Sequence, residues 1–244
     1  MTIPAELVEQ LTTAKRVTVL TGAGVSQESG VPTFRDAQTG LWARYRPEEL
    51  ATPEAFRRQP RLVWEWYAWR RQLVAAAEPN PAHVALAQLE TLFPHFQLVT
   101  QNVDGLHQRA GSRNVIELHG NITRTRCFEE GTVVARWEET GEVPPRCPKC
   151  GGPLRPDVVW FEEPLPEAEL AQAMQASLTC EVFLSVGTST VVYPAATLPF
   201  EALRRGATVV EINPVPTPLT DQAHYALAGA AGVVLPRLRA RVWG

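Results

Sequence analysis

The strongest constraint on the fold is a set of short apolar, β-branched runs, each stopping at a polar or glycine-rich turn. They are Arg16-Val17-Thr18-Val19-Leu20, Phe96-Gln97-Leu98-Val99-Thr100, Val182-Phe183-Leu184-Ser185-Val186 and Thr208-Val209-Val210-Glu211-Ile212-Asn213. Val233-Val234-Leu235 reads as a last one. Helical patterns lie between them: residues 4–14 with Leu7 and Leu11 on one face, 52–77 with Thr52 as cap and Pro53 at the first helical position, and 82–92. Short strands that are apolar on both sides and alternate with helices predict a Rossmann-like parallel α/β sheet with helices on both faces. Ligands of such sheets bind beyond the carboxyl ends of the strands. Gly22–Ser26, Gln101–Asp104, Gly187–Ser189 and Asn213 all fall at that edge.

The segment 122–156 differs. It lacks strong periodicity and holds three of the four cysteines, Cys127, Cys147 and Cys150, among glycines and prolines. It reads as a small inserted module. Cys180, at the start of the third run, reads as an ordinary buried cysteine. Cys147-Pro148-Lys149-Cys150-Gly151-Gly152 is a well-formed zinc knuckle, whereas Cys127 is followed by Phe128-Glu129-Glu130 with no partner cysteine. The metal set is therefore Cys127, Cys147 and Cys150: three thiolates that either take a fourth ligand or mark a degenerate site.

At 244 residues the chain fits one large domain with a small appendage and needs no disulfides to fold. Its net charge of −3 gives no global basic excess for holding a nucleic-acid backbone. No apolar run approaches the roughly 18–20 residues of a membrane helix. The start, MTIPAELVEQL, lacks the basic and apolar regions of a signal peptide. The expectation is a cytoplasmic monomer without nucleic-acid or membrane partners, where clustered cysteines point to metal before disulfides.

Gly22-Ala23-Gly24-Val25-Ser26 follows a strand and opens a helix, an arrangement suited to close approach of a pyrophosphate. The third glycine of the dinucleotide fingerprint is replaced by Gln27, which disfavours a hydride-transferring dehydrogenase.

Four blocks in order extend this reading: Gly22-Ala23-Gly24-Val25-Ser26-Gln27-Glu28-Ser29-Gly30-Val31-Pro32-Thr33-Phe34-Arg35, Thr100-Gln101-Asn102-Val103-Asp104-Gly105-Leu106-His107, Glu117-Leu118-His119-Gly120 and Gly187-Thr188-Ser189. Together they resemble the sirtuins, NAD-dependent protein-lysine deacylases, over roughly residues 17–236. The resemblance implies a Rossmann-like NAD-binding domain (1–36, 82–121 and 157–244). It also implies a small domain made of a helical insertion (37–81) and a zinc-ribbon-like insertion (122–156). It further implies a reaction on acylated protein or peptide substrates. The acyl oxygen attacks the nicotinamide ribose carbon, nicotinamide leaves, and the acyl group passes to ADP-ribose as lysine is freed.

On the same resemblance His119 is the general base, since imidazole titrates near neutral pH. Asn102 and Asp104 hold the ribose and the carboxamide of nicotinamide, and Gln101 a ribose hydroxyl. Arg35 offers a planar fork to phosphate, and Phe34 shields the ribose carbon. Gly187, Thr188 and Ser189 face phosphate, Asn213 the adenosine ribose and Ala231 the adenine. Gly22, Ala23, Gly24, Ser26, Thr33 and Trp42 complete the NAD set. His107 is assigned a structural role beside the turn.

Tyr67 and Arg70 lie three apart on a helix and share a face. Tyr-x-x-Arg here resembles the class III, desuccinylase-type sirtuins, in which arginine pairs with the distal carboxylate of a succinyl or malonyl chain and tyrosine donates to it. Val158-Val159-Trp160-Phe161-Glu162-Glu163 resembles the loop that pairs with substrate backbone, with Val158 and Phe161 as contacts. Glu162 stands where the family usually has glycine. Zinc would be structural, because deacylation needs no Lewis acid. Three rival readings remain at this stage: an NAD-dependent protein ADP-ribosyltransferase, a non-catalytic NAD- or ADP-ribose-binding module, and a zinc-ribbon nucleic-acid binder.

Overall fold

A computed structural model describes residues 2–32 and 45–244. In chain order, α1 (Ala5–Thr13) buries Leu7 and Leu11, and β1 (Arg16–Thr21) leads into the short α2 (Ala23–Gln27). A helical insertion follows: α3 (Pro47–Leu50), α4 (Pro53–Arg58) and α5 (Pro60–Ala76). Next come α6 (Pro81–Glu90), β2 (His95–Thr100), α7 (Leu106–Arg109) and β3 (Val115–Glu117). β4 (Gly120–Cys127) and β5 (Leu154–Val158) pair antiparallel, as a sheet of their own. The chain closes with α8 (Glu167–Thr179), β6 (Val182–Val186), α9 (Leu198–Arg204), β7 (Thr208–Asn213), β8 (Tyr225–Ala228) and α10 (Ala231–Trp243).

The main sheet is six-stranded and parallel, in the order β3-β2-β1-β6-β7-β8. β1 lies between β2 and β6, so the chain builds outward on one side and then returns to build on the other. Apolar side chains fill both faces. One cluster joins Val17, Val19, Leu98 and Leu184 to α1, α6 and α10. Another joins Leu20, Val99, Phe183 and Val209 to α8 and α9. This is the two-sided burial that continuous apolar runs require. A separate cluster built on Phe56, Val63, Trp66, Tyr67 and Trp160 fills the helical insertion and ties it to β5. No helix among the described residues is long and apolar enough to cross a membrane.

Two expectations need correction. Val233-Val234-Leu235 is not a strand but lies inside α10, where Val234, Leu235 and Leu238 face the core at helical spacing. The edge strand is instead β8, which buries only Leu227. The helix expected over 52–77 is two helices, because Pro60 keeps Gln59 out of the helical region (φ −142°, ψ 65°). The Thr52 cap is present: its hydroxyl accepts from Ala55 N at 3.1 Å.

Candidate active site

The strand register aligns five strand ends on one edge. Thr21 is paired with Thr100 and with Val186, Thr100 with Glu117, and Val186 with Ile212. The segments that follow them are Gly22–Ser26, Gln101–Asp104, Leu118–His119, Gly187–Ser189 and Asn213. His119 reaches this edge through β3, a three-residue strand that sequence reading did not find. Of the remaining expected site residues, Thr33, Phe34, Arg35 and Trp42 lie outside the described residues.

The glycine turn has a packing role. A Cβ at Gly22 or at Gly24 would lie 2.8 Å from the Gly187 carbonyl oxygen. Gly187 has φ +59°, and a Cβ there would lie 2.6 Å from Val25 N. Gly24 N donates to Gly187 O at 2.9 Å. The turns after β1 and β6 are thus locked together backbone to backbone, which only glycine permits.

Behind them runs a buried polar chain. Asn102 Nδ2 donates to Gly22 O (3.0 Å) and to Ser26 Oγ (2.9 Å). The Ser26 hydroxyl in turn bonds the Asp104 carboxylate. Asp104 Oδ1 accepts from Leu106 N at 2.9 Å. Burial raises the Asp104 pKa, partly offset by the Leu106 and Ser26 hydrogen bonds. Gln101 Nε2 donates to Thr188 Oγ1 at 2.8 Å, and Asn213 Nδ2 donates to Thr188 O at 2.9 Å. Asn102, Ser26 and Asp104 thus form one hydrogen-bonded set at this edge, and Gln101, Thr188 and Asn213 a second. Ser189 is half-buried beside Thr188, and Ala23 opens α2. Ala231 begins α10, where Gly232 N donates to Glu28 Oε1 at 2.9 Å.

His119 Nδ1 lies 2.9 Å from the Gln101 carbonyl oxygen. A carbonyl only accepts, so Nδ1 carries the proton and Nε2 is left as the basic nitrogen. Burial lowers the His119 pKa, and the bond to Gln101 partly restores it. The His119 carbonyl accepts from Val159 N at 2.9 Å, which joins it to the 158–163 loop. His107 is buried below this edge, with Nε2 2.9 Å from Thr21 Oγ1, and its ring centroid lies 4.8 Å from that of His83.

Tyr67 and Arg70 share the buried face of α5, at 1% and 7% exposure. The Arg70 guanidinium lies 5.2 Å from the Trp66 ring centroid. Burial pushes the Arg70 pKa down, and the neighbouring Tyr67 raises it. The Tyr67 hydroxyl accepts from Trp160 Nε1 at 2.9 Å, and burial pushes its pKa up to about 12. It stays protonated and retains its own hydrogen to donate. Val158 is buried and Phe161 exposed. Sequence reading missed the clamp on this loop. Arg155, 4% exposed, forks onto Glu163 at 2.5 and 2.9 Å and stacks 3.3 Å from the Trp160 ring centroid, while Glu163 accepts from Trp160 N. No local pattern signals a pair eight residues apart. Glu162 holds φ +71°, a left-handed conformation that favours glycine.

The sulfurs of Cys127, Cys147 and Cys150 all lie within 4.8 Å of one another, and Cys127 and Cys150 are 3.4 Å apart. Tetrahedral zinc with Zn–S near 2.3 Å places sulfurs about 3.8 Å apart, so the trio fits three corners. Among the described residues no further Cys, His, Asp or Glu joins that cluster. The backbone N–H groups of Cys150 and Lys149 hold the Cys147 thiol below its ordinary pKa. Cys180 is apart from the trio, buried against Phe183 and Ala173.

Residues 22–194 match the model of the Sir2 family. An NAD-dependent protein deacylase of Aquifex aeolicus is 57% identical over 222 residues, covering 89% of this chain and 92% of the relative. NAD-dependent protein deacylase 1 of Pseudomonas aeruginosa is 52% identical over 245 residues, covering 97% and 98%. A crystal structure of a Sir2 homologue in complex with NAD superposes with TM-score 0.91 at 49% identity, covering 99% of this chain and 94% of the other. A mutant Sir2 homologue in complex with 2'-O-acetyl ADP ribose superposes with TM-score 0.90, also at 49% identity, covering 98% and 96%.

Proposed function

The chain belongs to the Sir2 family, and from that premise we propose how it works as an NAD-dependent protein-lysine deacylase on acetyl, succinyl and malonyl groups. NAD and the acyl-lysine meet between the Rossmann-like part (1–36, 82–121 and 157–244) and the small part (37–81 and 122–156). NAD supplies the ribose carbon that accepts the acyl oxygen, with nicotinamide as the leaving group.

The chain's own residues set the stage for that transfer. Asn102 and Asp104, fixed through Ser26, orient the ribose and carboxamide at the edge of the sheet. Gln101, Gly187, Thr188, Ser189, Asn213 and Ala231 hold the remainder of NAD, with Gly22, Ala23 and Gly24 shaping the turn beside it. Thr33, Phe34, Arg35 and Trp42 complete that set. His119 Nε2 would take the proton of a ribose hydroxyl, whose oxygen then attacks the acyl carbon; the lysine amine would leave with that proton, and a water would add to the acyl carbon to complete O-acyl-ADP-ribose. The observation that carries this reading is the His119 Nδ1 bond to the Gln101 carbonyl, which fixes the tautomer a base needs. Val158 and Phe161 flank the substrate backbone.

Acyl preference follows from α5. Arg70 is a cation held in an aromatic setting, and Tyr67 keeps a hydroxyl hydrogen directed by Trp160. A carboxylate at the end of an acyl chain receives charge from one and a hydrogen bond from the other. An acetyl group uses neither.

The test incubates the protein with NAD and matched acetyl- and succinyl-lysine peptides, and follows nicotinamide, free lysine and acyl-ADP-ribose by mass. Equimolar products with faster succinyl turnover are expected. Turnover of acetyl-lysine alone rejects the acyl preference, and no nicotinamide release from either peptide rejects the deacylase reading.

A further inference from the structure

The segment at Cys127 has no second cysteine, yet its backbone repeats the Cys147 knuckle bond for bond. Cys147 N donates to Gly152 O at 2.8 Å, and Gly151 N donates back to Cys147 O at 2.9 Å. Cys127 N donates to Thr132 O at 2.8 Å, and Gly131 N donates back to Cys127 O at 3.0 Å. Gly131 and Gly151 both adopt the left-handed region, with φ +66° and +75°. The N–H three residues on also points at the first sulfur in each: Cys150 N to Cys147, and Glu130 N to Cys127 at 3.5 Å. Glu130 thus occupies, position for position, the place of Cys150 in the other knuckle.

We propose that Glu130 is the fourth ligand of a three-cysteine, one-glutamate structural zinc site. A carboxylate oxygen is an ordinary zinc ligand at about 2.0–2.2 Å. In the present arrangement the Glu130 carboxylate pairs instead with Lys149 Nζ at 3.1 Å, and Lys149 lies between the two cysteines of the opposite knuckle. The carboxylate is therefore already turned toward the facing loop, and it exchanges the lysine for the metal when zinc is held. The turn geometry explains why the first loop keeps a knuckle's shape although its second cysteine is missing. An unrelated loop has no reason to reproduce both backbone bonds, the left-handed glycine and the N–H to sulfur contact.

The full chain is stripped with a chelator and titrated with zinc against a chromophoric competitor, with cobalt as the spectroscopic probe. Stoichiometric zinc is expected in the wild type. Glu130→Ala should weaken zinc binding by roughly tenfold or more, at least the loss seen when groups outside the ligand shell are removed. Glu130→Cys should restore tight binding and intensify the thiolate-to-cobalt charge-transfer band, which shows that the altered loop still folds. Lys149→Met, which removes the competing cation, should bind zinc at least as tightly as the wild type. Wild-type zinc affinity and cobalt spectrum in Glu130→Ala overturn the assignment, as does a wild type that holds no stoichiometric zinc. Each readout is independent of deacylation.

Discussion

The indole Nε1 of Trp160 donates to the hydroxyl of Tyr67 at 2.9 Å, joining the 158–163 loop to α5. Tyr67 is therefore an acceptor toward Trp160 and, staying protonated, keeps its own hydrogen to donate. Trp160 in turn is held by the Arg155–Glu163 clamp. The setting of the Tyr67 hydroxyl depends on a residue 93 positions away in sequence.

Trp160→Phe keeps an aromatic ring and removes the N–H. The lost hydrogen bond should lower stability by about 1 kcal/mol. Desuccinylation should suffer more than deacetylation, with the loss concentrated in KM, because the Tyr67 hydroxyl loses its fixed direction. Steady-state kinetics on the two peptides and a denaturant midpoint check both parts.

For His119, replacement by Ala should lower kcat by about 10²- to 10⁴-fold, the range of general-base contributions. Burial lowers its pKa below the ordinary 6.5, so the basic form is populated at neutral pH and kcat/KM should fall only on the acid side, below pH 6.5. A pH profile whose acid limb is unchanged in His119→Ala would show that another group titrates there.

His83 and His107 are both buried, with pKa values pushed down to about 4 and about 3 by burial, and in His107 also by His83. Their folded values lie below the ordinary 6.5, so the unfolded chain binds more protons in that window. Stability is full above about 6.5 and should fall as pH drops toward the folded values, by about 1.4 kcal/mol per pH unit for each histidine. Denaturant unfolding between about pH 7 and about pH 4.5 measures the slope, and His83→Gln should roughly halve this contribution.

Much of this was readable before the structure. Four strands, α1, the Thr52 cap and the buried Cys180 follow from apolar periodicity and cap chemistry, which act over a few residues. β3 and β8 were missed because a three- or four-residue strand with one buried side chain leaves almost no pattern. Val233-Val234-Leu235 misled because β-branched runs favour strands locally, while the packing of Leu235 and Leu238 decided for helix. The active-site blocks were legible as motifs, but the locked turns, the His119 tautomer and the Trp160–Tyr67 bond join segments distant in sequence. Glu162 is the converse case. Its departure from glycine is visible in sequence, and the φ of +71° locates the strain that it must bear.

The central claim, that α5 reads the distal carboxylate of the acyl chain, rests most directly on Arg70. The decisive measurement is kcat/KM of the wild type and of Arg70→Met on succinyl- and acetyl-lysine versions of one peptide. A charged hydrogen bond of about 1.5–3 kcal/mol predicts a succinyl loss of roughly 10- to 150-fold, with acetyl turnover changed little. Equal losses on the two peptides would contradict the account.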